Sequence, residues 1–201
     1  MNSIKAIYNY WLNPDERNQP IDYAKPVGRS KFLFEEFFEK YTIPKTATIL
    51  ELGCNVGRNL NYLFEKGYHA LTGVDINQTV FNVMASVYPN LNGLNKHAVT
   101  IEGFLKANTQ QFDIVFTMAV LVHIHPETIQ MVMDGISAIA KEYIVLIEFD
   151  AENLDSSVCW YRDYQTEFTK RGWKLKDRLQ ISTSIDKQLD CFTLFVFKRE
   201  S

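Results

Sequence analysis

The stretch Thr48-Ile-Leu-Glu-Leu-Gly53 runs from an apolar strand pattern directly into a glycine. Gly57 follows just before the helical spacing of Leu60, Leu63 and Phe64, and Gly67 closes that helix. A strand that turns into a helix through two glycines lets a ligand approach bare backbone at the positive end of the helix. The flanking sequence repeats the strand-helix unit. A strand over His69 to Val74 precedes a helix over Asn77 to Val87, and a strand is expected over Ala98 to Glu102. Phe112 to Met118 precedes a helix opened by Pro126, in which Ile129, Val132, Met133, Ile136 and Ile139 keep the helical period. Tyr143 to Phe149 precedes a helix over about Ser156 to Arg171 that Gly172 ends. Such alternation predicts a parallel sheet covered on both faces. The last two extended segments, Trp173 to Ile181 and Leu189 to Lys198, have no helix between them and pair antiparallel. Cys191 to Phe197 is apolar on both alternating faces, which suits an interior strand. The prediction is a doubly wound, seven-stranded α/β sheet, mostly parallel, with a C-terminal antiparallel hairpin and a binding crevice beyond the strands' carboxyl ends.

Before this core, an irregular, proline-punctuated leader runs through Gly28, and Ser30 caps a helix to Tyr41 in which Leu33/Phe37 and Phe34/Phe38/Tyr41 share faces. The chain divides into residues 1–42, a lid and leading helix, and 43–201, the core, within one domain overall. The 201 residues suit a single domain with an ample core, and 46% hydrophobic with 22% charged residues exclude a disordered or fibrous chain. A formal charge of -3 argues against a nucleic-acid or polybasic membrane surface and favours a small-molecule partner. Cys54, Cys159 and Cys191 leave an odd thiol and lack zinc spacing, and Met1 to Arg17 has no signal-peptide pattern, so a cytoplasmic location is expected. The apolar runs fall well short of the ~20 residues of a membrane span.

Asp75 lies 22 residues after Gly53, at the end of the second strand, where a carboxylate can accept hydrogen bonds from both ribose hydroxyls. Taken singly, Gly53 and Gly57 read as turn glycines and Asp75 as a helix cap. Spaced in this way within strand-helix units, they read as a nucleoside site. Asn55 occupies the second glycine position of a dinucleotide fingerprint, and the Gly-Lys-Ser/Thr of a P-loop is absent.

On these residues the chain resembles the class I S-adenosylmethionine-dependent methyltransferases. Ile49-Leu-Glu-Leu-Gly-Cys-Asn-Val-Gly57 looks like the family's first motif, Gly73-Val-Asp75 like its ribose motif, and Phe112-Asp-Ile-Val-Phe-Thr-Met-Ala119 like its fourth-strand motif, within a resemblance running from about Ile43 to the C-terminus. The resemblance implies a Rossmann-like fold with S-adenosylmethionine as cofactor. Gly53, Cys54 and Gly57 would line its methionine portion, Met118 would lie beside it, Asp75 would hold the ribose and Ile76 would flank the adenine. Where many members place Asp near the adenine amino group, Gly103-Phe104 stands here, and Phe104 would stack on the base.

Methyl transfer needs an aligned, desolvated acceptor and, for an oxygen or ammonium acceptor, a base. His123 is the candidate base, weighed against a histidine that is simply hydrogen-bonded in its loop, while His125 beside Pro126 reads as a cap. No further ligands accompany the two histidines, so no metal is expected. Glu148 and Asp150 end a strand and are expected to face the crevice or solvent. Glu148, Arg162, Tyr164, Tyr23 and Arg17 are the candidate substrate contacts, and Arg29 at the leading helix is the candidate partner of the cofactor's carboxylate. The expected function is methyl transfer to an oxygen or nitrogen atom of a small molecule. The alternatives are a nucleoside-binding module without transfer chemistry and a protein methyltransferase.

Overall fold

The computed structural model describes residues 3–16, 18–25, 28–151, 159–185 and 191–200. Its centre is a seven-stranded sheet in the order β3-β2-β1-β4-β5-β7-β6. The strands are β1 (Ile49–Leu52), β2 (Leu71–Asp75), β3 (Asn95–Ala98), β4 (Phe112–Met118), β5 (Ala140–Phe149), β6 (Trp173–Gln180) and β7 (Phe192–Arg199). β1 pairs in parallel with both β2 and β4, so the chain reverses its direction of winding there, and the crevice opens beyond their carboxyl ends. β7 lies antiparallel between β5 and β6, where its apolar run Leu194 to Phe197 is buried on both faces.

Two apolar layers cover the sheet. One holds α2 (Gly28–Leu33), α3 (Arg58–Glu65) and α4 (Gln78–Val87) through Phe37, Phe38, Leu60, Leu63 and Met84, and the other holds α5 (Ile101–Ala107), α6 (Ile129–Ile139) and α7 (Tyr164–Thr169). Each layer removes apolar side chains from water on one sheet face, which is the main stabilising term of such a fold.

Several elements differ from their predicted form. The leader, expected to be irregular, carries helices: Ser3 caps α1 (Ile4–Leu12), accepting from the Ala6 amide at 3.3 Å, and a single-turn helix spans Pro20–Ala24. Ser30 is not a cap, because the helix already runs from Gly28. Its hydroxyl instead donates to Asn59 Oδ1 at 2.7 Å inside the molecule, and the helix continues as a π-helical turn over Phe34–Glu39. The third strand occupies Asn95–Ala98, and the expected strand to Glu102 is replaced by α5, because Thr100 accepts from the Gly103 amide at 3.0 Å while Ile101, Phe104 and Leu105 form a helical apolar face. After Pro126 the regular helix starts only at Ile129. The last helix starts at Tyr164, capped by Asp163, rather than near Ser156, and residues 156–158 lie outside the described residues.

Candidate active site

The crevice is a cleft of about 1240 Å³, counted to its open mouth, between the carboxyl ends of β1, β2 and β4 and the N-terminal segment. Its first wall is the glycine loop. Gly53 adopts φ +73°, and a Cβ there would stand 2.4 Å from Val120 Cγ2, so only glycine lets the loops after β1 and β4 meet. Gly53 and Cys54 line the cleft, but Gly57 does not. Gly57 begins α3 at φ +76°, and its absent side chain makes room for Met84, so its place is a packing one.

Asp75 lines the cleft with each carboxylate oxygen held by one backbone amide, Oδ2 by Asn55 and Oδ1 by Asn77, both at 2.9 Å. Burial pushes its carboxyl up against these two opposing bonds. Ile76 lies beside it in the cleft wall. Phe104 does not reach the cleft. It is buried in the second apolar layer with its ring centroid 5.0 Å from that of His97, because the helix it belongs to turns it towards the sheet. Thr100, Ile101 and Glu102 line the cleft in its place. Glu102 accepts from Thr128 Oγ1 at 3.0 Å, and burial together with this carboxylate pushes the Tyr8 hydroxyl up.

Glu51, unremarked at the end of β1, also lines the cleft. Its Oε1 accepts from Asn59 Nδ2 at 2.7 Å, while its Oε2 is buried without a partner among the described residues. Burial raises this carboxyl to about 8, opposed by the Asn59 bond and the Arg58 charge. Arg29 and Arg58 bring guanidinium groups to the same end of the cleft, as does Met118 its sulfur, 3.3 Å from Arg58 Nη2. This end therefore offers guanidinium groups and a carboxyl with an unfilled acceptor oxygen, a donor set that fits an amino-acid zwitterion. The Asp75 end fits a ribose.

The N-terminal segment roofs the cleft. Ile7, Tyr8, Trp11, Pro20 and Tyr23 line it, Asn77 Nδ2 donates to the Trp11 carbonyl at 3.0 Å, and Tyr88 donates to the Ala24 carbonyl at 2.9 Å. The opposite wall is the loop 119–125. His123 lines the cleft, with its centroid 5.0 Å from the Trp11 ring and its Nδ1 3.3 Å from Cys159 Sγ. His125 caps the turn into α6, its Nδ1 accepting from the Glu127 amide at 3.2 Å.

Three expected substrate contacts are not in the cleft. Glu148 is fully buried and accepts from Thr117 and the amides of Val120, Leu121 and Val122; burial pushes it up and these donors pull it down. Arg162 is turned inward onto the carbonyls of Leu121, Ile124 and Trp160. Tyr164 packs on Phe195 in the core. Asp150 pairs with Arg178 at 2.7 Å. Arg17 lies outside the described residues. Among the described residues no group of three His, Cys, Asp or Glu side chains is placed to hold a metal ion, and no helix is long and apolar enough to cross a membrane.

The sheet order, the antiparallel seventh strand and the crevice at the β1/β4 reversal define a doubly wound nucleoside-binding domain. Residues 49–142 match the family model for the methyltransferase domain. No curated protein matches the sequence at a significant level. Among solved structures, the N-methyltransferase NodS of Bradyrhizobium japonicum WM9, in complex with S-adenosylhomocysteine, is similar with a TM-score of 0.70 and 16% identity over 100% of both chains. Magnesium protoporphyrin IX methyltransferase of Synechocystis PCC 6803 with bound S-adenosylmethionine gives 0.67 and 14%, over 99% of this chain and 93% of that one. The 1,6-didemethyltoxoflavin N1-methyltransferase of Burkholderia thailandensis gives 0.62 and 17%, over 92% of each.

Proposed function

We propose that the chain transfers the methyl group of S-adenosylmethionine to an oxygen or nitrogen atom of a small-molecule acceptor bound between the N-terminal segment and the loop 119–125. The observation that carries this reading is the continuity of one cleft from Asp75 to His123 under the roof of α1. The three structural neighbours act, by their names, on a porphyrin, a toxoflavin precursor and as an N-methyltransferase, which is consistent with a small acceptor.

When bound, S-adenosylmethionine supplies an electrophilic methyl group on a sulfonium. The chain's own residues bind, orient and exclude water. Asp75 would accept from the ribose hydroxyls, Ile76 and Ile101 would flank the base, and Glu102 would accept from its amino group. Gly53, Cys54 and Met118 would hold the methionine portion, Arg29 and Arg58 its carboxylate and Glu51 its ammonium. At the other wall His123 is placed to take the proton that the acceptor atom gives up. His123 Nδ1 lies 3.3 Å from Cys159 Sγ, and the tautomer that donates Nδ1–H to the sulfur would leave Nε2 to accept the proton. Tyr23 closes the acceptor side. Residues 1–42 act as lid and leading helix to the 43–201 core.

A methyl-release assay across amines, phenols, sugars and carboxylic acids tests the proposal. Turnover of at least one class is expected, with His123→Ala lowering it by ~10²-fold at unchanged cofactor affinity. Tight cofactor binding without turnover on any class would favour the binding module, and turnover only on a protein acceptor would favour a protein methyltransferase.

A further inference from the structure

The loop 119–125 is held by two buried side chains of opposite charge, one bonding its amides and the other its carbonyls. Beneath it, Glu148 accepts from Thr117 Oγ1 at 2.8 Å, Val120 N at 3.0 and 3.2 Å, Leu121 N at 3.0 Å and Val122 N at 3.2 Å. Arg162 Nη1 donates to the carbonyls of Leu121 at 2.9 Å and Trp160 at 2.8 Å, and Nη2 donates to that of Ile124. The Trp160 amide adds a bond of 2.8 Å to the Val122 carbonyl. The carboxylate thus gathers the loop's donors and the guanidinium gathers its acceptors. Taking both charges out of water is costly, and a plain turn would satisfy so short a loop with its own peptide groups. What the arrangement adds is a fixed conformation, including Ala119 at φ +56°, a region a non-glycine residue occupies only when its surroundings dictate it. Ala119, Val120, His123 and His125 of this loop all line the cleft.

We propose that Glu148 and Arg162 are positioning residues, which together set the height and orientation of the wall bearing His123 against the reacting methyl. The assignment of this wall to the acceptor side rests on the function proposed above. The charges act through backbone bonds rather than by touching cofactor or acceptor, so their effect falls on the acceptor wall and leaves the Asp75 end intact. The bidentate reach from Leu121 to Ile124 requires a guanidinium, and lysine cannot reproduce it.

Removing Glu148 changes stability as well as position, so the test of position uses Arg162→Lys and Thr117→Val, each of which loosens one side of the frame. The full chain is saturated with S-adenosylhomocysteine, whose affinity is measured by calorimetry. The probe is diethyl pyrocarbonate: its reaction rate at His123 is followed by peptide mass and referenced to the exposed His69. The expected result is reaction at His123 faster by about threefold or more in both variants, with S-adenosylhomocysteine affinity within about twofold of the parent. A purely stabilising role would lower the thermal midpoint without changing His123 reactivity in the folded complex. An unchanged His123 rate in both variants overturns the proposal, as does a loss of S-adenosylhomocysteine affinity in step with the rate change. Full methyl transfer by His123→Ala would instead remove the base assignment, and the His123 reactivity of the two frame variants does not depend on that outcome.

Discussion

The two ends of the cleft are built by different means. At the nucleoside end, geometry is local: Gly53 turns, Asn55 and Asn77 offer their amides, and Asp75 is fixed by neighbours within 20 residues or fewer. At the acceptor end, the loop after β4 is set by Glu148 from the end of β5 and by Arg162 beyond it, up to 41 residues away in sequence. A nucleoside presents the same hydroxyls and ring to every such enzyme, so a short backbone motif suffices. An acceptor wall takes its shape from distant parts of the chain. The first end can therefore be recognised from sequence, and the second only from the fold.

The sharpest way to break this contrast is Glu148→Ala. It leaves Arg162 buried without its counter-charge and strips the donors of Thr117, Val120, Leu121 and Val122 of their acceptor, and a loss of about 3–5 kcal/mol in chemical denaturation is expected. A loss under ~1 kcal/mol would mean that the loop needs no frame. Gly53→Ala attacks the other end. Its positive φ and the approach to Val120 predict about 1–3 kcal/mol of destabilisation together with weakened S-adenosylmethionine binding in calorimetry.

Glu51 sharpens the picture by pH. Its carboxyl lies at about 8 in the folded chain, above its ordinary range, so the folded state keeps a proton that the unfolded state releases. Stability from this group is present in full below the ordinary carboxyl range and falls as pH rises towards about 8, with a slope of at most ~1.4 kcal/mol per pH unit. Denaturation of the cofactor-free protein across this window should show the slope, and Glu51→Gln should flatten it. The smallest effect is expected for Phe104→Leu. Core packing alone predicts about 1 kcal/mol of lost stability with S-adenosylmethionine affinity unchanged, whereas a ring stacked on adenine would cost affinity.

The sheet and the places of Gly53 and Asp75 in the cleft wall were legible because their signals are short-range: alternating strand-helix periods, a glycine at the turn and a carboxylate at a strand end, whereas Gly57 and Phe104 proved to be packing residues. Some misread parts carried a readable signal. Ile4, Ile7, Tyr8 and Trp11 have helical spacing behind a capping Ser3, and Ile101, Phe104 and Leu105 have it behind Thr100, so α1 and α5 could have been found. Glu148, Arg162 and Tyr164 carried none. A charged residue at a strand end reads as facing a crevice, and only the backbone groups brought over it by the fold make burial the better state. Glu51 gives no sign for the converse reason: within an apolar strand nothing local marks one of its carboxyl oxygens as buried without a partner.

The proposed function requires one cleft to hold S-adenosylmethionine by its ribose at Asp75 beside a separately framed acceptor wall. Calorimetric titration of the folded parent and of Asp75→Ala with S-adenosylmethionine tests it most directly. Saturable binding to the parent, weakened by about 1.5–3 kcal/mol in the variant, is predicted from the loss of a charged acceptor of the ribose hydroxyls. Equal affinity in a folded Asp75→Ala protein, or a parent that binds NADH in preference to S-adenosylmethionine, would contradict it.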